Sequence, residues 1–173
     1  MSTQTSMYLL DQTVIDFCMP KSKFLRFKNF EPKDLEGFKG LYDYELSNMS
    51  IKDRKQYFIN QSQLGPTISA IYDNHTFGVY GAVHLWRGVA EAWSIFDEDL
   101  RRYKIAMCKG ALGFFDMLFI SYDLHRVQIT VKKDDKRAIA WAVYLGFKPE
   151  GLMRAYSEHK EDTFMMGMTR WEN

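Results

Sequence analysis

Apolar and polar positions change their spacing several times along the chain, and each change marks an element. Residues 23–30, KFLRFKNF, alternate Phe24, Arg26 and Lys28 with Leu25, Phe27 and Asn29, the period of two that predicts a strand. Leu35, Phe38, Leu41, Tyr42 and Leu46 then recur at helical spacing behind Pro32, which sits where a helix start tolerates proline. A second, more polar helical piece begins near Ile51 and ends at Gly65-Pro66. Three strand-like runs follow, TISAIYD, TFGVYGAVHLW and VAEAWSIF. They are parted by turn residues, Asp73-Asn74 and Arg87-Gly88, and predict an antiparallel meander.

Ile105, Cys108, Leu112, Phe115, Phe119 and Tyr122 lie three or four apart and predict one face of a helix of about five turns, although Gly110 and Gly113 weaken it. HRVQITV predicts a short strand. DDKRAIAWAVYLGF predicts a helix capped by Asp134 or Asp135 and stopped by Gly146, and the stretch from Gly151 to Trp171 a closing hairpin. The order is β-α-α-β-β-β-α-β-α-β-β. Residues 1–22 open polar and carry MYLLDQTVIDFCM before Pro20. They read as an added arm, with either the domain at residues 23–173 or a neighbouring subunit as its partner.

Composition narrows the classes. With 173 residues, 46% of them hydrophobic, the chain can bury one core and is too short for two ordinary domains. The 23 Lys and Arg against 22 Asp and Glu leave no overall field that would draw it to nucleic acid or anionic lipid, and the plentiful aromatics fall at core spacing with no basic stripe beside them. No apolar run reaches the ~18 residues of a membrane span, and the N-terminus lacks a signal-peptide pattern. A cytoplasmic location is the expectation. Cys18 and Cys108 lack metal or redox spacing and read as buried free thiols.

The element order, together with DKRAIAWAVYLGFKPEG, resembles the GCN5-related N-acetyltransferases, the GNAT superfamily. In that family's last conserved block a small polar residue and an alanine open a helix that ends in Leu-Gly-Phe and runs into a strand. Here these are Asp135, Ala138 and Leu145-Gly146-Phe147. The likeness spans roughly residues 24–170 and leaves the arm outside. It implies an α/β chain of the α+β kind, with a mixed, mostly antiparallel central sheet flanked by helices. It also implies acetyl-CoA as cofactor, bound in a splay between the fourth and fifth strands, where unpaired backbone groups meet the pantetheine amides. By the same resemblance Trp93, Ser94, Ile95 and Phe96 line that cofactor, Asp135 stands at the conserved helix start, and the acceptor is an amine. Trp93 and Phe96 read equally well as core and rim aromatics.

Two departures from the family's pattern stand out. Active relatives carry a pyrophosphate loop of the form Gln/Arg-x-x-Gly-x-Gly/Ala at a helix start, where glycines let backbone amides close on the phosphates. The corresponding stretch here is FDEDLRRYKIAMCKGAL. Counted without gaps, Arg102 takes the first position and Ile105 and Met107 stand where glycines belong. One residue earlier the set is Arg101, Lys104 and Ala106, which keeps the last small residue and puts a lysine in a glycine's place. Either register keeps the basic charge and loses the cradle. Positive charge at a helix start costs on the order of a few tenths of a kcal/mol, which an anionic ligand or the neighbouring Asp97, Glu98 and Asp99 would offset. Relatives also often place a tyrosine four residues before the glycine of Leu-Gly-Phe, to protonate the departing thiolate. Here that residue is Ala142, and Tyr144 lies about 200° around the helix from it.

One candidate base remains from the resemblance. Glu91, in AEAW, stands where histone-acetylating relatives keep the glutamate that deprotonates the amine, and a central strand supplies the partial burial that a general base uses. His84 on the preceding strand is the other candidate base. None of the histidines pairs with a Ser or Cys at a readable spacing, so nucleophilic catalysis and metal binding have no support. The expectation is an acyl-CoA-dependent N-acetyltransferase-like protein acting on an unknown amine. The alternative is a catalytically silent structural or interaction protein. The Trp-Ala-x-x-Leu-Gly-Phe pattern with a degraded loop resembles GNAT-like proteins of tailed bacteriophages, some of them internal virion or tail-associated components. In that case the arm docks protein partners and the location is the virion.

Overall fold

Pairing among seven strands sets the frame. The computed structural model describes residues 8–43, 49–97 and 103–170. Its strands are β1 (Arg26–Asn29), β2 (Thr67–Tyr72), β3 (His75–Trp86), β4 (Val89–Phe96), β5 (Arg126–Lys132), β6 (Lys148–Met153) and β7 (Thr163–Thr169). They lie in the order β1-β2-β3-β4-β5-β7-β6. Neighbours are antiparallel except β4 and β5, which run parallel. Helices α1 (Gln12–Cys18), α2 (Gly40–Asp43), α3 (Ile51–Ser62), α4 (Lys104–Ser121) and α5 (Lys136–Tyr144) cover the sheet. This is the mixed, mostly antiparallel sheet between helices that the family resemblance implies.

Alternation along the strands feeds two cores. Residues of one sheet face, among them Tyr80, Ala82, Ala90, Phe96, Val127 and Met166, pack with Ile15 of α1, Phe114 and Leu118 of α4 and Ala142 of α5. The opposite face sends Val79 and Ile95 into a smaller cluster with Leu35, Phe38, Leu41 and Phe58. Burying a large aliphatic or aromatic side chain contributes about 1.5–3 kcal/mol, so the larger core carries most of the drive to fold.

Three local expectations change. The helix expected from Pro32 onward is interrupted: a 3-10 turn, Pro32–Leu35, and the short α2 are separated by Gly37, whose φ of +67° is a left-handed conformation open to glycine and incompatible with a continuing helix. Leu46 lies outside the described residues. On α4 the buried face matches the predicted seam only in part: Phe115 and Phe119 are buried as expected, but the face is turned from it elsewhere. Ile105 is 74% exposed and Leu112 is exposed, while Gly110, Phe114, Met117 and Leu118 point inward. The two helical glycines explain the turn, because a Cβ on Gly113 would lie 2.5 Å from the Cys18 carbonyl oxygen and one on Gly110 would lie 2.6 Å from the Tyr80 hydroxyl. Finally, Cys18 and Cys108 are free but only half-buried.

The described part of the arm packs against the domain's own core. Asp11 caps α1 by accepting from Thr13 N–H at 2.8 Å, and Leu10, Ile15 and Met19 are buried. Two amide side chains knit this segment to β1. Gln12 Nε2 donates to the Phe27 carbonyl at 2.8 Å. Asn29 accepts from Leu10 N–H at 3.0 Å and donates to Leu10 O at 2.7 Å. The Tyr122 hydroxyl donates to the Tyr8 carbonyl at 2.9 Å.

Two outcomes follow. Ile15→Ala should lower unfolding free energy in urea by about 2–5 kcal/mol, the cost of a truncated core aliphatic, whereas a loosely attached arm would show no change. Burial first, and Tyr8 second, pushes the Tyr122 phenol from 10.0 up to about 12, and burial pushes Tyr80 further in the same direction. The unfolded chain therefore loses these protons at lower pH than the folded one. Their contribution is complete below pH 10 and is lost as pH rises towards 12, so the thermal midpoint should fall across that window in step with tyrosinate absorbance.

Candidate active site

The parallel neighbours β4 and β5 stay together for three residue pairs: Val89 with Arg126, Ala90 with Val127 and Glu91 with Gln128. Beyond them β4 follows β3 as far as Phe96, and β5 follows β7 as far as Lys132. The sheet opens into a wedge. Hydrogen-bond alternation in each ladder identifies the groups that face it. Asp97 N–H donates to Phe77 O at 2.9 Å, so odd-numbered β4 residues bond to β3, and Ser94 and Phe96 turn their N–H and C=O towards the wedge. Lys133 N–H donates to Asp162 O and Arg170 N–H to His125 O, both at 3.0 Å. Odd-numbered β5 residues therefore bond to β7, and Thr130 faces the wedge from the other bank. None of these three has a strand partner on that side among the described residues.

Each bank runs on into a helix that starts beyond the wedge's mouth. The α5 start is closed by its own cap, with Asp135 accepting from Ala138 N–H at 2.9 Å. The α4 start differs: Tyr103 at the N-cap gives no side-chain hydrogen bond and the first turn holds no acidic residue. Lys104 opens α4 and is exposed, and Ala106 is half-buried one turn in. N–H groups at a helix start that no side chain caps among the described residues, with a lysine beside them, suit an anion. Arg101 and Arg102 lie outside the described residues, as do Glu98 and Asp99.

On the α4 and α5 side, the Phe96 ring meets Trp141 edge-on, with centroids 5.7 Å apart, and meets Tyr80 at 5.1 Å. The Trp141 indole N–H donates to Cys108 Sγ at 3.3 Å, which ties α5 to α4 beside the wedge. Ala142, where the resemblance leads one to expect a tyrosine, is buried, and Tyr144 is 69% exposed, so neither brings a hydroxyl to the wedge.

Glu91, Trp93 and Ile95 point to the α3 side. Trp93 lies over Gly81, where a Cβ would come within 2.3 Å of the ring, and packs on Phe58 at 5.3 Å. Its indole N–H is buried without a partner among the described residues. Ile95 is fully in the core. Glu91 is half-buried and Oε2 accepts from Gln128 Nε2 at 3.1 Å, across the last paired rung before the wedge. Arg126 Nε donates to Gln128 Oε1 at 3.3 Å, and its two terminal nitrogens grip Glu150 at 2.9 and 2.6 Å. Tyr57 of α3 stands close enough that burial first, and then the Glu91 charge, hold its phenol above the usual tyrosine range. His84 instead packs edge-on against Tyr8, 6.3 Å between centroids, away from this group.

The structure thus brings Glu91 and the backbone of Ser94 and Phe96 to one wedge, and places Lys104, Ala106 and Asp135 on the helix starts beyond it. Trp93 and Ile95 belong to the smaller core by their side chains. Sequence reasoning missed Tyr57, Arg126, Gln128 and Glu150. A signal for two of them was present: β5 alternates Val127, Ile129 and Val131 with Arg126, Gln128, Thr130 and Lys132, a fully polar face on an interior strand. Tyr57 beside Phe58 carried no such mark.

No protein-family model and no curated protein matches the sequence. Solved structures do match. An acetyltransferase of the GNAT family from Bacillus anthracis aligns with a TM-score of 0.69 at 17% identity, over 86% of this chain and 96% of that one. Ard1 from Thermoplasma volcanium gives 0.70 at 16%, over 86% and 99%. RimL, a ribosomal L7/L12 alpha-N-protein acetyltransferase in complex with coenzyme A, gives 0.71 at 16%, over 87% and 97%. At these identities the likeness is one of fold, and the fold of this chain is the GNAT fold.

The Trp141–Cys108 contact has a direct readout. In a Cys18→Ala background, Trp141→Ala should speed the reaction of Cys108 with a thiol reagent severalfold, because it removes both the ring that covers the sulfur and the N–H bonded to it. An unchanged rate would mean that the bridge does not shield the wedge side of α4.

Proposed function

We propose that the chain is an acyl-CoA-dependent N-acyltransferase that moves an acetyl group from acetyl-CoA to an amine. The observation that carries this reading is the wedge, in which Ser94 and Phe96 on one bank and Thr130 on the other present backbone donors and acceptors with no strand to receive them. An extended ligand with amides along its length, such as pantetheine, supplies the missing partners. Ser94 and Phe96 serve through their main chain, while Trp93 and Ile95, whose main chain is spent on β3, only hold the strand in place from the smaller core. The uncapped start of α4, with Lys104 and the amides near Ala106, takes the pyrophosphate together with Arg101 and Arg102, and Asp135 fixes the start of α5 opposite. The side chains of Ile105 and Met107 leave less room at that start than glycines would, so charge does more of the holding than a close backbone cradle.

Chemistry is assigned to Glu91, on the side of the sheet away from α4. The amine nitrogen attacks the thioester carbonyl carbon, the C–S bond breaks, and Glu91 takes the proton released by the nitrogen. The departing thiolate draws its proton from water, since Ala142 and the exposed Tyr144 offer no hydroxyl there. The acceptor approaches past Tyr57 on α3 and the exposed Tyr156 in the closing hairpin.

A second reading, a GNAT fold kept without chemistry and used for interaction, is favoured by the same Ala142 and by the Trp141 bridge beside the wedge. Likeness to phage-encoded proteins makes a virion component with the N-terminal arm as docking element the specific form of that reading.

Titration calorimetry separates the two. Acetyl-CoA should bind with a dissociation constant of about 1–100 μM, weakened by Lys104→Ala and by Arg102→Ala. No heat at ~1 mM ligand sinks the acyltransferase reading. Given binding, Glu91→Gln should slow transfer to amine acceptors by roughly 10²–10⁴-fold while leaving acetyl-CoA affinity unchanged.

A further inference from the structure

Four side chains on three strands form an unbroken polar chain across the sheet face, and it ends at the base. The middle member has a chemically fixed direction. An arginine guanidinium only donates and an ionised carboxylate only accepts, so the Gln128 amide satisfies both neighbours in one orientation alone: Oε1 towards Arg126 Nε at 3.3 Å and Nε2 towards Glu91 Oε2 at 3.1 Å. Turning the amide over would set oxygen against carboxylate and NH2 against guanidinium. Arg126 cannot swing to relieve this, because its fork is held by Glu150 of β6 through two bonds, 2.9 and 2.6 Å. That pair lies across the strand between them. A Cβ on Gly167 of β7 would come 2.4 Å from Glu150 Oε1 and 2.9 Å from an Arg126 terminal nitrogen. Glycine at 167 is what lets the pair close. Their mutual hydrogen bond holds Arg126 above and Glu150 below its usual range, so both stay charged through neutral pH.

We infer that Gln128 is a positioning residue for acyl transfer: clamped by Arg126 and Glu150, it binds one oxygen of Glu91 and aims the other at the reacting amine. This rests on the reading of Glu91 as base. Its geometric ground is that Glu91 and Gln128 are the last paired rung before the strands part, so the carboxylate stands at the apex of the wedge. One oxygen is occupied and Oε1 carries no hydrogen bond among the described residues. A base whose rotamer is fixed from behind needs no reorganisation when the amine arrives. Glu150 takes part from the closing hairpin, which couples that hairpin to the base.

The test uses the full chain and two variants that leave Glu91 in place. Gln128→Leu removes the link. Gly167→Ala, remote from the carboxylate, displaces the Arg126–Glu150 pair and loosens the clamp, so it serves where Gln128→Leu fails to fold. In steady-state transfer from acetyl-CoA, both variants should lower kcat by roughly 10- to 100-fold with the KM for acetyl-CoA unchanged. In ¹⁵N NMR the Gln128 side-chain amide should show slowed hydrogen exchange in the wild type, lost in Gly167→Ala and in Glu91→Leu, which leaves no acceptor at that position. A Gln128 amide that exchanges as freely as exposed glutamines, or a kcat within about twofold of wild type in both variants, overturns the inference. Absence of any acyl transfer by the wild type overturns instead the reading on which it rests, and the exchange measurement tells the two failures apart.

Discussion

The parting of β4 from β5 is the constraint around which this molecule is built. A sheet can open along an interior seam only if each bank is held from behind, and here β3 holds β4 to its last residue while β7 holds β5 to its own. Backbone groups that face the opening cost about 1–3 kcal/mol each if they are desolvated and left unpaired. The opening therefore stays wet or is filled by something that hydrogen-bonds. That requirement, more than any single side chain, underlies the proposal that the wedge takes an amide-bearing ligand.

The two sides of the opening are chemically unlike. Towards α4 and α5 stand an aromatic pair and a thiol, Phe96, Trp141 and Cys108, continuous with the larger core. Towards α3 stand a carboxylate, a phenol and an amide, with an ion pair behind them. Alternation along β4 is enough to produce the division, because neighbouring residues on a strand look to opposite faces. One extended strand thus supplies backbone to the seam, a carboxylate to one side and an aromatic to the other.

Much of the fold was legible in the sequence because periodicity reports burial, and burial reports layers. The meander, the turns at Asp73-Asn74 and Arg87-Gly88, and the capped helix before Leu-Gly-Phe all reflect local chemistry. What failed was non-local. The break at Gly37 reads as an ordinary helix position until its φ is known, and α4 turned Gly110 and Gly113 inward beside the expected Phe115 and Phe119 because Cys18 and Tyr80, far away in sequence, leave no room there for a side chain. The site followed the same rule. Glu91 was visible through the family resemblance, whereas the chain through Gln128, Arg126 and Glu150 depends on a register between strands that no local pattern encodes. The basic residues of the degraded loop were legible as charge, and their placement is not among the described residues for Arg101 and Arg102.

The amide side chains that fasten the N-terminal segment to β1 have a bearing on self-association. β1 and β6 are the two outer strands, and an open outer strand is a template on which a second chain can extend a sheet. At β1 the outward Phe27 carbonyl is already taken by Gln12, and the Asn29 side chain holds Leu10 alongside. At β6 the strand carries Pro149, with no N–H to give, and an irregular register between Pro149 and Gly151. Both margins are thus blunted by different means. Copies of this chain that associate are expected to meet through side-chain surfaces, and a variant that loses the segment before Pro20 is the one that would aggregate by strand addition.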